Sequence, residues 1–101
     1  MSGGHFDYNQ YKIGHIADEV EQLIIDNDST EEDEWGYSKG CHFTPETIAK
    51  FKKGLDILRK AQIYAQRIDW LVSGDDGEDS FHRRLKNDLM EWAIEDDIKF
   101  E

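Results

Sequence analysis

Apolar residues recur at spacings of three and four in three stretches of the chain, and no stretch alternates as a strand would. In the first, Ile13, Ile16, Ala17, Val20, Leu23 and Ile24 form one stripe and predict an amphipathic helix over about 8–26. Asp18, Glu19 and Glu21 fall off that stripe, toward water, and Asp7 or Asn9 is in place to cap the start. The second stretch carries the sharpest boundary signals. Thr44 suits the N-cap, Pro45 the first helical position and Gly74 the stop, so a helix over 44–73 is predicted, roughly 43 Å long at 1.5 Å per residue. After a turn at 74–79, Phe81, Leu85, Leu89, Trp92 and Ala93 predict a third helix over 80–96, capped by Ser80 or begun earlier at Asp76. The acidic tail from Glu95 still carries Ile98 and Phe100 as docking groups. The expected fold is all-α: a small three-helix bundle with one long central helix and an acidic loop, 27–43, between helices 1 and 2.

The central helix carries two stripes. Ile48, Phe51, Leu55 and Leu58 form the early one, and Ile57, Ala61, Tyr64, Ile68 and Leu71 the later one, rotated by about a quarter turn. One short partner helix does not cover both. The pattern therefore predicts that the exposed half packs on a second copy of the chain, a homo-oligomer through helix 2. Trp70 lies just off the later stripe and reads either as core or as an interface anchor.

Composition fits one small, folded domain. The 101 residues are 38% hydrophobic and 12% aromatic, too apolar for a wholly disordered chain. Cys41 is the single cysteine, so no intrachain disulfide forms, as suits a reducing compartment. No apolar run approaches the roughly 20 residues that span a bilayer, and Met1–His5 lacks the basic and apolar regions of a signal peptide. The expectation is a soluble cytoplasmic protein with no membrane contact.

Charge changes the picture most. The formal net charge is −11, from 23 acidic and 12 basic side chains. From Ile13 to Ser38 there is no Lys or Arg, yet nine acids stand there: Asp18, Glu19, Glu21, Asp26, Asp28, Glu31, Glu32, Asp33 and Glu34. Such a block repels a phosphate backbone and welcomes a basic surface. Direct nucleic-acid binding is not expected. Helix 2 is the basic part, with six Lys and Arg against three acids, and is placed to answer some of the charge of helix 1. Glu31–Glu34 have no such basic run beside them.

Two interpretations of the acidic block stand open. One is a solvated helix face and a soluble loop. The other is partner binding, in which Asp18, Glu19, Glu21, Glu31, Glu32, Asp33 and Glu34 imitate nucleic-acid phosphates and Trp35 and Tyr37 anchor the contact. Carboxylates on successive helical turns lie roughly 6 Å apart, close to the reach between neighbouring phosphates. An alternative site is anionic in its ligand: Arg83 or Arg84, with His82, forks onto a phosphate while Tyr8, Tyr64 or Trp70 stacks on a base. That reading makes the protein an oligomeric sponge for a nucleotide signal. The rival account of the same residues is pairing with Asp75, Asp76, Glu78 and Asp79.

Catalytic and metal chemistry find little support. Neither register around Gly74 or Gly77 supplies the ligand positions of a calcium loop, although Asp75–Asp79 is acidic. Cys41, His42, His5, His15 and His82 lack the paired spacing of a zinc site, and no nucleophile–base pair or phosphate loop is present. No metal or cofactor is expected, and the chain reads as non-enzymatic.

Two segments carry a resemblance: Gly3-Gly-His-Phe-Asp-Tyr-Asn-Gln-Tyr11 running on to Ile16-Ala-Asp-Glu-Val-Glu-Gln-Leu23, and Tyr64-Ala-Gln-Arg-Ile-Asp-Trp-Leu-Val-Ser-Gly-Asp-Asp-Gly-Glu-Asp-Ser-Phe-His-Arg-Arg-Leu85. They resemble small uncharacterised proteins of tailed phages and prophages, at both ends of the domain but not in the acidic loop. The resemblance implies an accessory phage protein acting in the bacterial host cytoplasm. By analogy with small acidic inhibitors, anti-CRISPR proteins among them, it implies a host defence protein with a basic surface as the partner. No active site comes with it.

Overall fold

A computed structural model describes residues 6–32 and 34–100. They form three helices: α1, Gln10–Asp26; α2, Pro45–Val72; and α3, Glu78–Phe100. The all-α bundle with a long central helix is what the stripes predict. Among the described residues α1 and α3 both pack on α2, and their backbones do not approach each other. The molecule is accordingly flat, 51 × 29 × 17 Å, and α2 keeps one side that neither neighbour covers.

Local chemistry sets the ends of the helices. The Thr44 hydroxyl accepts the Thr47 N–H at 3.3 Å, and Pro45 follows in the first turn of α2. At the other end Gly74 takes φ +83°, and the Gly74 and Asp75 N–H groups bond back to the Leu71 and Trp70 carbonyls. That is the left-handed stop glycine supplies most readily. The first helix begins at Gln10, because Asp7 and Tyr8 have φ of 52° and 62° and stand outside the helical region. Asn9 occupies the N-cap position, but its side chain makes no capping bond. The third helix begins at Glu78, ahead of Ser80, since the Gly77 carbonyl already accepts the Phe81 N–H at 2.8 Å. Glu78 and Asp79 then sit in the first turn, where the helix dipole favours negative charge.

The core is small. Ala17 of α1, Leu55 of α2 and Trp92 of α3 are buried together, with Val20, Ile24, Leu58 and Ile63 packed around them. Trp92 is the piece that lets α3 share a core with α1 across α2. Its indole Nε1–H donates to the Asp56 carboxylate at 2.8 Å, so its polar edge is satisfied inside the packing. Burial pushes the Asp56 carboxyl up, but the Trp92 and Lys60 hydrogen bonds outweigh it and hold the group below its ordinary value of 3.8. Gly14 explains the close approach of α1 to α2: a Cβ there would lie 2.7 Å from the Gln62 amide.

The N-terminal segment is tied to α2 by buried polar groups. The Phe6 N–H donates to Asp69 Oδ1 at 2.9 Å, and Gln10 Nε2 donates to Gln66 Oε1 at 2.8 Å. Asp69 and Gln10 are both buried, although polar.

Candidate interaction loop

The segment between α1 and α2 is a closed structure. Its base is Asn27, buried just past α1. Asn27 Oδ1 accepts the Phe43 N–H at 2.8 Å, and its Nδ2 donates to the Phe43 carbonyl at 3.1 Å. The Asn27 carbonyl also accepts the His42 N–H at 2.9 Å, with His42 at φ 56°. Phe43 then meets Phe51 of α2 edge-to-face, centroids 5.4 Å apart, which fixes the loop on the bundle.

Above the base the chain doubles back. The Lys39 N–H donates to the Glu31 carbonyl at 2.9 Å, and Glu32 pairs with Ser38 in an isolated antiparallel bridge. Gly40 makes this possible: a Cβ there would lie 2.6–2.8 Å from the Asn27, Ser29 and Asp26 carbonyl oxygens. The Ser38 hydroxyl accepts the Gly40 N–H at 3.2 Å. Gly36, at φ +83°, turns the tip. What emerges at that tip is aromatic. Trp35 is 75% exposed and Tyr37 72% exposed.

The charges around the tip face water. Glu31, Glu32 and Glu34 are exposed, and Asp33 lies outside the described residues. Lys39 Nζ reaches Glu31 at 3.1 Å, an internal answer from one lysine rather than from a basic run. That hydrogen bond, helped by the carboxylate charge, holds the Lys39 ammonium above its usual range.

On α1 the acids divide. Arg59 of α2 meets Asp18 at 2.6 Å and Glu21 at 4.0 Å, as the charge balance of the two helices suggests. Glu19 is exposed, pointing away from that pairing. One arginine thus offsets part of the charge of α1, as Lys39 does on the loop.

The five alternative anion-site residues sit on the N-terminal segment, the last turn of α2 and the first two turns of α3. Tyr8 is exposed and stacks on Tyr11, centroids 6.1 Å apart. It follows Phe6, which binds Asp69 on the α1 side of α2. Trp70 is turned about 100° from Asp69 by helix geometry. Its ring carries the Arg67 guanidinium at 4.8 Å, and Arg67 is held in turn by Asp88 of α3 at 2.6 Å. His82 packs edge-on to Phe81, Arg84 meets Asp76 at 3.4 Å, and Arg83 is exposed. Among the described residues no group of three or more His, Cys, Asp or Glu is placed to hold a metal ion, and Cys41 is free and exposed. No helix among them is long and apolar enough to cross a membrane.

No protein-family model, curated protein or solved structure matches the chain.

Proposed function

We propose that the protein is a non-enzymatic interaction module that docks its acidic, aromatic-tipped loop onto a basic surface of another protein. The observation that carries this is the tip itself. Trp35 and Tyr37 stand in water on a loop closed by Asn27, Glu31, Ser38, Lys39 and Gly40. Exposed large aromatics on a pre-formed support suit interface anchors, because little ordering remains to be done on binding. Glu31, Glu32 and Glu34 beside them repel nucleic acid and steer a basic partner.

The resemblance to phage and prophage proteins adds a setting to this reading. There the basic surface is the nucleic-acid groove of a bacterial defence protein, and occupation by carboxylates inhibits it. Arg59 offsets part of the α1 charge that such mimicry would use, while Glu32 and Glu34 stand exposed beside the aromatic tip. Capture from bacterial lysate on immobilised protein tests the proposal. A basic protein held at about 50 mM salt and released near 500 mM is expected, since exposed charge pairs are screened over that range. Retention of an acidic protein, indifferent to salt, contradicts it.

A further inference from the structure

The uncovered side of α2 is apolar along most of its length. Ile57, Tyr64 and Ile68 are 56%, 45% and 37% exposed, and Val72 at the end of the helix is exposed as well. Ile57, Ala61, Tyr64, Ile68 and Leu71 step by four, three, four and three, which is a heptad seam. Leu55, Arg59, Arg67 and Asp69 face α1 or α3, so this seam is not used inside the chain.

Gly54 continues the seam one step toward the N-terminus, and it has no reason within the chain to be glycine. It lies in mid-helix, where glycine weakens helical structure, and nothing is within 4 Å of an added Cβ. Gly14 is the contrast, since there an added Cβ would press on the Gln62 amide of the neighbouring helix. An intrachain-free glycine on an exposed apolar seam is explained by something large packing on it from outside.

We propose that α2 pairs antiparallel with α2 of a second copy, about an axis between Gln62 and Ile63. In this register every position i faces position 125 − i of the partner copy, an arrangement that follows from heptad geometry. Gly54 then receives Leu71, Ala61 receives Tyr64, and Ile57 meets Ile68, each pairing occurring twice by symmetry. In two of the three pairings a small residue faces a large one, as close packing favours. The antiparallel direction also brings the basic start of one helix, with Lys50, beside the end of the other, where the acidic turn at Asp75 and Asp76 begins. A parallel pair instead stacks Lys50 on Lys50, Asp75 on Asp75 and Gly54 on Gly54. Shifting the antiparallel register by one heptad puts Lys50 on Ile68 or leaves Gly54 and Ile57 beyond the end of the partner copy's α2. Charge and volume together select the second copy as occupant and fix its direction.

Sedimentation velocity on the full chain, from about 1 to 500 µM, tests the pairing, since a single helical seam suits a weak dimer. A species of twice 11.8 kDa is expected to grow in with concentration. Gly54→Leu is expected to weaken dimerisation at least tenfold while the dilute protein melts no lower than wild type. Lys50→Asp and Asp75→Lys should each weaken the dimer several-fold, and the double variant should recover it. A spin label at Lys50→Cys in a Cys41→Ser background should report about 37 Å between copies, the rise over 25 helical residues. A monomer through the whole range, a Gly54→Leu protein that dimerises like wild type, or a spin–spin distance near 10 Å overturns the proposal.

Discussion

Asn27 grips Phe43 by both of its backbone groups, accepting from the N–H at 2.8 Å and donating to the carbonyl at 3.1 Å. One buried side chain thereby closes a loop whose ends stand sixteen positions apart, and joins the end of α1 to the start of α2. Asn27→Ala leaves both groups of Phe43 without their partner and should destabilise the protein by about 2 kcal/mol. Asn27→Asp keeps the acceptor and loses the donor, so it should fall between the two. Chemical denaturation of the three proteins measures the order.

Gly40 is the second closure point. An alanine Cβ would press on the carbonyl oxygens of Asn27, Ser29 and Asp26, which are backbone and cannot swing aside. Gly40→Ala should cost about 1–3 kcal/mol. It should also quicken amide hydrogen exchange at Lys39 and His42, whose N–H groups are bonded across the loop.

Much of the fold was legible because its signals are local. Thr44, Pro45 and Gly74 bound α2, and the apolar stripes give three helices. The starts of α1 and α3 were less legible, since positive φ at Asp7 and Tyr8 and the Gly77 carbonyl decide them. The loop was legible as acidic and aromatic but not as closed. Its closure joins Asn27 to Phe43 and Glu31 to Lys39, pairs that share no periodic spacing.

The division of acids on α1 can be measured. Arg59 answers Asp18 and Glu21, so Arg59→Met should destabilise by about 1–2 kcal/mol in low salt and less in high salt. Glu19→Gln, on an exposed position, should stay within about 0.5 kcal/mol of wild type. Thermal melts at two salt concentrations separate the two.

Asp56 sets an acid-side dependence. Its folded carboxyl lies below the ordinary 3.8, so the stabilisation it gives is complete above that value and is lost as pH falls through the lower folded one. Trp92→Phe removes the indole donor at 2.8 Å, and the Asp56 carboxyl should then titrate at higher pH. Carboxyl NMR titration of the wild type and the variant reads that shift directly.

On the proposed function the loop tip binds a basic protein surface. The most direct test is the affinity of the captured partner for three forms of the chain: wild type, Trp35→Ala with Tyr37→Ala, and Glu31, Glu32 and Glu34 each changed to Lys. Removing the two aromatics should weaken binding by about 2–4 kcal/mol, roughly 30- to 1,000-fold. Charge reversal should abolish the salt dependence along with most of the affinity, while far-ultraviolet circular dichroism stays helical for all three. Unchanged affinity in both variants would contradict the account.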